Sequence, residues 1–270
     1  VRVATWNVWW RFGGAWPARE RAIRSVVADL RPDVLGLQET WRDADGSQAE
    51  ALAALLGGHA VFVPVGVPPL PDPPEHPVQA GAEIGIGLVS RWPVLATAVH
   101  DLPAHVHEPA RALHATLDHP AGPLHVLVAC TEWEPTREAT ADHRAQTRVL
   151  ADLLADPALD GDLPVLLVGD LNAAPGTPEL APLEAVAEDL WLLGGGDPDA
   201  VTLSSDTPMA PVEAVKQIDR RIDHVLARRG RPAAPPLRVT HAALAGHEPV
   251  EGVLPSDHRA VVCDVELPAP

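Results

Sequence analysis

Apolar residues recur in short runs along the whole chain, and most runs are too short for a helix. Val1–Val8 alternates apolar with polar positions and breaks at Asn7, and Val34–Gln38 is a compact run after Pro32-Asp33. Further strand-like segments are Ile84–Val89, Val94–Val99, Ala112–Leu117, Leu124–Ala129, Val165–Val168, Ile222–Ala227, Arg238–Ala243 and Ala260–Val265. Helical spacing appears between some of them. Pro17 can open a helix that places Ile23, Val26, Val27 and Leu30 on one face. Ala49–Leu56 stops at Gly57-Gly58, and Arg144–Leu154 and Pro178–Ala187 give two more helices.

The order mixes hairpins with crossovers. Arg91-Trp92-Pro93 and Pro120-Ala121-Gly122-Pro123 read as turns between neighbouring strands. That mixture argues against a simple doubly wound sheet. It predicts an α+β (α/β) fold of two packed mixed β-sheets flanked by helices, a four-layer α/β sandwich. The 30 prolines gather in Pro64–Pro77, Pro103–Pro109 and Pro232–Pro236. Strands resume directly after each cluster, so these read as stiff loops, and residues 1–270 are expected to form a single domain.

Composition narrows the function. Hydrophobic content of 46% supports a sizeable core, and 37 acidic against 20 basic residues give a formal net charge of −17. Such a surface repels polyanions at long range. The densest basic patch is Arg220, Arg221, Arg228, Arg229 and Arg231, which reads first as a solvated element end. Cys130 and Cys263 both lie in apolar runs and are expected as buried thiols. No run has the length of a membrane span. A cytoplasmic monomer is expected. Secretion stays open, because the sequence starts inside a strand pattern.

Candidate chemistry sits where apolar runs end in polar residues. Five segments share that shape: Thr5-Trp6-Asn7-Val8, Leu37-Gln38-Glu39-Thr40, Gly169-Asp170-Leu171-Asn172, Arg221-Ile222-Asp223-His224 and Ser256-Asp257-His258. Strand-end loops are where sites are built. Taken singly, each has a plain alternative: Asp170 as a helix cap, Asn7 as a turn residue, Glu39 as a surface acid. Carboxylates with few histidines suit magnesium better than zinc.

In this order the five segments resemble the endonuclease/exonuclease/phosphatase superfamily of metal-dependent phosphoesterases. Ser90-Arg91-Trp92-Pro93 and the Arg144/Gln146 pair are similar to further family features. The resemblance implies a Mg²⁺- or Mn²⁺-dependent phosphoester hydrolase, with a phosphodiesterase favoured. Alternatives are a nuclease acting on DNA or RNA and a non-catalytic binding module that has kept the fold. The substrate that the resemblance implies is a phosphoester on a small molecule, a lipid head group or a nucleic acid.

Roles follow from the resemblance. Glu39, Asn7 and Asp257 would hold the metal. Asp170 would orient or deprotonate the attacking water, and Asn172 would donate to a phosphate oxygen. His258, oriented by Asp223, would contact the phosphate or move a proton. Arg111 would support the carboxylates. Where many members have Thr-His-Leu, this chain reads Thr131-Glu132-Trp133. Glu132 is therefore a candidate general acid or metal ligand, or a plain loop cap. Trp9, Trp10 and Trp133 are candidates for a stacking mouth, whereas Trp6 and Trp41 read as core. His105-x-His107 reads as a loop-rim feature. Substrate choice is expected in the loops 64–81, 100–110, 132–142 and 204–216.

Overall fold

Neighbouring side chains of a strand point to opposite faces, and in the central strands here both faces are apolar. Val3, Val34, Val126, Val168 and Val225 enter one buried cluster, shared by both sheets. Their neighbours Ala4 and Leu35 enter a second cluster with Ile23 and Val27. Leu127, Leu167 and Leu226 enter a third with Leu150 and Leu154. Three apolar layers require four structural layers, so the alternation alone yields the sandwich.

The computed structural model describes residues 1–66, 68, 73–231 and 234–267. The proline-rich stretches Pro64–Pro77 and Pro232–Pro236, and the end of the expected 1–270 span, lie partly outside the described residues. The first sheet runs β12 (Arg238–Ala245), β13 (Ala260–Glu266), β1 (Arg2–Asn7), β2 (Val34–Asp43), β5 (Glu83–Ser90) and β4 (His59–Gly66), with β3 (Gly46–Ser47) paired to β2. The second runs β10 (Glu188–Asp189), β11 (Asp223–Arg228), β9 (Val165–Asp170), β8 (Gly122–Cys130), β7 (Ala110–His119) and β6 (Val94–Leu102). Each sheet has a parallel pair, β1 with β2 and β8 with β9. Helices α1 (Trp16–Leu30) and α2 (Gln48–Leu56) cover the first sheet, and α3 (Arg137–Ala155) covers the second. Two single-turn helices, α4 (Ala181–Glu184) and α5 (Leu190–Leu193), also lie among the described residues.

Local chemistry explains most boundaries. Ser47 and Glu50 form a reciprocal capping box at the start of α2, and Gly57 ends it in the left-handed region. Thr136 caps α3, which begins seven residues before the expected Arg144. Its first two turns bury Asp142 and His143 where a core helix would bury leucines, so the apolar period is absent there. β4 was not expected, because Pro64 breaks its pattern. It is an edge strand, and a proline can sit there. The expected helix Pro178–Ala187 shrinks to the single turn of α4.

The sheets approach closely at Gly36. A Cβ at this position would stand 2.4 Å from Val168 Cγ2. Gly36→Ala is therefore expected to push the sheets apart and cost about 1–3 kcal/mol. Urea unfolding of the two proteins measures this, and an unchanged midpoint would show that Val168 yields freely.

Candidate active site

The two parallel strand pairs end side by side, and the polar residues gather there. Asn7 closes β1. Glu39 lies in β2 at a register shift between Leu37 and Thr40, with φ of 49°. A bulge re-aims one side chain without ending the strand, and here it turns Glu39 toward Asn7. Asp170 ends β9 and Asp223 begins β11, and the two are direct partners across the antiparallel ladder. Asp257 and His258 lie just before β13, with Arg259 between them and the strand.

Asn7 ties the halves together. Its Nδ2 donates to Glu39 Oε1 at 2.9 Å and to Asp170 Oδ2 at 3.0 Å, while its Oδ1 accepts from the Trp9 amide at 3.0 Å. The Asn172 amide donates to Asp170 Oδ1 at 3.1 Å, and Asn172 Nδ2 donates to the Thr131 carbonyl at 2.9 Å. His258 Nδ1 bonds Asp223 Oδ2 at 2.9 Å, and its Nε2 faces Asp170 Oδ2 at 3.9 Å. Ser256 Oγ donates to the Asn7 carbonyl at 2.7 Å, which pins the Asp257-His258 turn against β1.

This cluster is electrostatically loaded. Burial pushes the Asp170 carboxyl up to about 7, and the neighbouring Asp223 charge adds to it. Burial also raises Glu39, with Asp257 as the second cause, and burial raises Asp257 itself. For His258, burial opposes protonation, but Asp223, Asp170 and Asp257 outweigh it and hold the ring well above its usual range. Ligating atoms of Asp170, Asp223 and His258 all lie within 4.8 Å of one another. Glu39 and Asp257 form the other electronegative lobe. Its donors are oxygens, the donor type that a hard divalent cation takes.

A sequence profile of the Endonuclease/Exonuclease/phosphatase family matches residues 4–258. The chain belongs to this family. Protein cwh43 of Schizosaccharomyces pombe is 30% identical over 155 residues, a stretch that covers 56% of this chain and only 14% of that protein. A Beutenbergia cavernae endonuclease/exonuclease/phosphatase structure has a TM-score of 0.71 at 26% identity, covering 99% of this chain and 71% of the other. The human Nocturnin catalytic domain superposes with a TM-score of 0.72 at 20% identity over 99% and 94% of the two chains. D. rerio TDP2 complexed with single strand DNA product gives 0.70 at 20% identity over 97% of each chain. The last two likenesses bear on the fold.

Within this family fold, the eight expected site residues fall into two groups. Asn7, Glu39, Asp170, Asn172 and the Asp223–His258 pair are joined by the contacts above, and Asp257 joins them through Ser256, whose Oγ lies 3.2 Å from Asp257 Oδ1. Glu132 lies one residue beyond Thr131 and is occupied locally. Its carboxylate receives His107 Nδ1 at 2.9 Å and the amides of Trp133 and Glu134 at 2.8 and 3.0 Å. Arg111 does not reach the carboxylates; it bonds Asp101 and the Pro64 carbonyl. Trp10 is buried and donates to the Glu83 carbonyl, so it lines no mouth, whereas Trp133 is exposed.

The structure adds Arg19, which the sequence did not single out. It is buried on α1 and donates to the carbonyls of Pro255, Phe12 and Val8, holding both loops beside Asp257. Its charge acts favourably with Asp257 and Glu39, although burial lowers its pKa to about 10. Its only sequence cue was a cation on an otherwise apolar helix face.

A carboxyl whose pKa is higher folded than unfolded binds more protons when folded. Its stabilising effect is complete below the unfolded value near 3.8 and is lost as pH rises through about 7. Asp170→Asn, assayed by thermal melting in chelator, should therefore gain stability over wild type as pH rises across this window. A constant difference between the two proteins at all pH values would remove Asp170 as the strained group.

Proposed function

We propose that the protein is a divalent-metal-dependent phosphoester hydrolase, with Mg²⁺ or Mn²⁺ as the cation and phosphodiesters as the first substrate class. The observation that carries this reading is the buried Asp223–His258 pair facing Asp170, with Asn7 linking Asp170 to Glu39. Glu39, Asn7 and Asp257 would hold the ion, with the second lone pair of Asn7 Oδ1 available to it. When bound, the ion supplies charge neutralisation on the non-bridging phosphate oxygens.

The remaining steps belong to side chains. Asp170, with a pKa near the working pH, orients the attacking water and accepts its proton. Protonated His258 directs Nε2–H at a phosphate oxygen, while Asp223 fixes the ring through Nδ1. This proton also argues against His258 as a metal ligand, despite its compact trio with Asp170 and Asp223. The part-exposed Asn172 side chain frames the phosphate from the second sheet.

Within the class, a compact ester is favoured over long duplex nucleic acid. Four of the five arginines of the basic patch are paired with acids, Arg221 with Asp189, Arg228 with Asp160, Arg229 with Glu188 and Arg231 with Asp162, and the fifth, Arg220, is exposed. Little of that charge is left to meet a polyanion on a −17 chain. The nuclease reading keeps one support, the likeness to D. rerio TDP2 with its single strand DNA product. A non-catalytic module would have no reason to bury four repelling acids.

Turnover of aryl phosphodiesters should require Mg²⁺ or Mn²⁺ and stop in chelator. His258→Ala should lower kcat by about 10² to 10⁴, and Asp170→Asn should abolish turnover with the fold intact by circular dichroism. A folded wild type inert toward every phosphodiester, phosphomonoester and nicked-plasmid substrate with either ion would overturn the proposal. Plasmid nicking that falls steeply with salt would instead select the nuclease.

A further inference from the structure

A second imidazole–carboxylate pair stands at the rim of the same site. Glu132 is buried at the end of β8, and its backbone amide donates to Gln146 Oε1 at 2.8 Å. The preceding residue, Thr131, is bonded on both sides by the centre: its amide donates to the Asp170 carbonyl, and its carbonyl accepts from Asn172 Nδ2. Glu132 is thus fixed beside Asn172. Its side chain reaches outward to His107, whose Nδ1 lies 3.0 and 2.9 Å from the two carboxylate oxygens.

His107 comes from a different segment, the loop between β6 and β7. That loop is fastened at three points: Gln146 Nε2 donates to the Pro103 carbonyl, and the amides of His105 and Val106 both donate to Asp142. The His107 side chain is 48% exposed, and its partner carboxylate is 1% exposed. The imidazole lies nearly parallel to the Trp133 ring, at 15° and 6.1 Å between centroids. Its Nε2 faces Glu134 Oε1 at 3.4 Å. Glu132 and Glu134 are the charged groups that contact the ring. A ring oriented by a buried acid, open to solvent and flanked by a flat aromatic face has the arrangement expected of a proton donor.

We propose that His107 is the general acid of the reaction, held by Glu132 as its positioning residue. This rests on the hydrolase reading above. Water attacks phosphorus and gives a proton to Asp170. The bond from phosphorus to the leaving oxygen breaks, and that oxygen takes the Nε2 proton of His107. The neutral ring regains its proton from solvent, to which it is open. Trp133 forms the wall against which the leaving group rests, so an aromatic or otherwise flat leaving group is favoured.

The test is a series of methyl aryl phosphodiesters whose phenols range from nitrophenol to unsubstituted phenol, assayed with Mg²⁺ or Mn²⁺. Nitrophenolate departs without a proton, whereas phenolate needs one. His107→Ala should leave nitrophenyl turnover within about twofold and lower phenyl turnover by about 10² or more. The half-exposed position lets this variant fold. Glu132→Gln, which keeps the size of the side chain but not its charge, should steepen the leaving-group dependence in the same direction. A parallel loss across the whole series would show a binding or structural role and overturn the proposal, as would no loss at all. A wild type inert toward every ester would overturn the hydrolase reading itself and the proposal with it. Wild-type turnover with a flat His107→Ala profile would overturn the proposal alone.

Discussion

Burying a charge costs several kcal/mol unless another charge or a set of dipoles meets it. Here Glu39, Asp170, Asp223 and Asp257 crowd one end of the sandwich, while His258 and Arg19 are the cations set among them. The rest of the architecture serves this imbalance. Arg19 brings its charge in from α1 and uses its hydrogens to hold the loops that carry the acids. His258 stays protonated because three carboxylates surround it. Under the proposed reading, the residual negative charge is what would draw a hard cation to the lobe of Glu39 and Asp257.

Backbone devices deliver these groups. The bulge in β2 aims Glu39, and the left-handed residue Asn172 turns the chain just after Asp170. Trp9 and Trp10 also adopt positive φ, so the segment after Asn7 doubles back beside the site. Such conformations cost on the order of 1 kcal/mol each in non-glycine residues. They persist here because side-chain bonds, among them Asn7 to the Trp9 amide, over-determine them.

Much of this was readable from the chain. Asn7, Glu39, Asp170, Asp223, Asp257 and His258 each interrupt an apolar run, and a polar residue at a strand's end marks a place where the backbone meets a site. The layers were readable too, because both faces of the central strands are apolar. What stayed hidden depended on distant partners. His107 had the look of a loop residue until Glu132 was seen against it, 25 positions away. The first two turns of α3 were masked because Asp142, His143 and Gln146 face polar partners rather than core. Arg19 was a lone cation on an apolar helix face, and nothing local showed which carbonyls it would meet. Strand β4 hid behind Pro64, which is tolerated only because the strand lies at a sheet edge.

The amide of Asn7 has one more consequence. It spans the seam between the sheets, giving one hydrogen to an acid of its own sheet and one to an acid of the other. The two acids it joins can change charge with the medium. An amide does not titrate, so the seam is fastened by a group that is itself indifferent to acidity. The link between the two sheets therefore rests on a donor that keeps both its hydrogens at any ordinary pH.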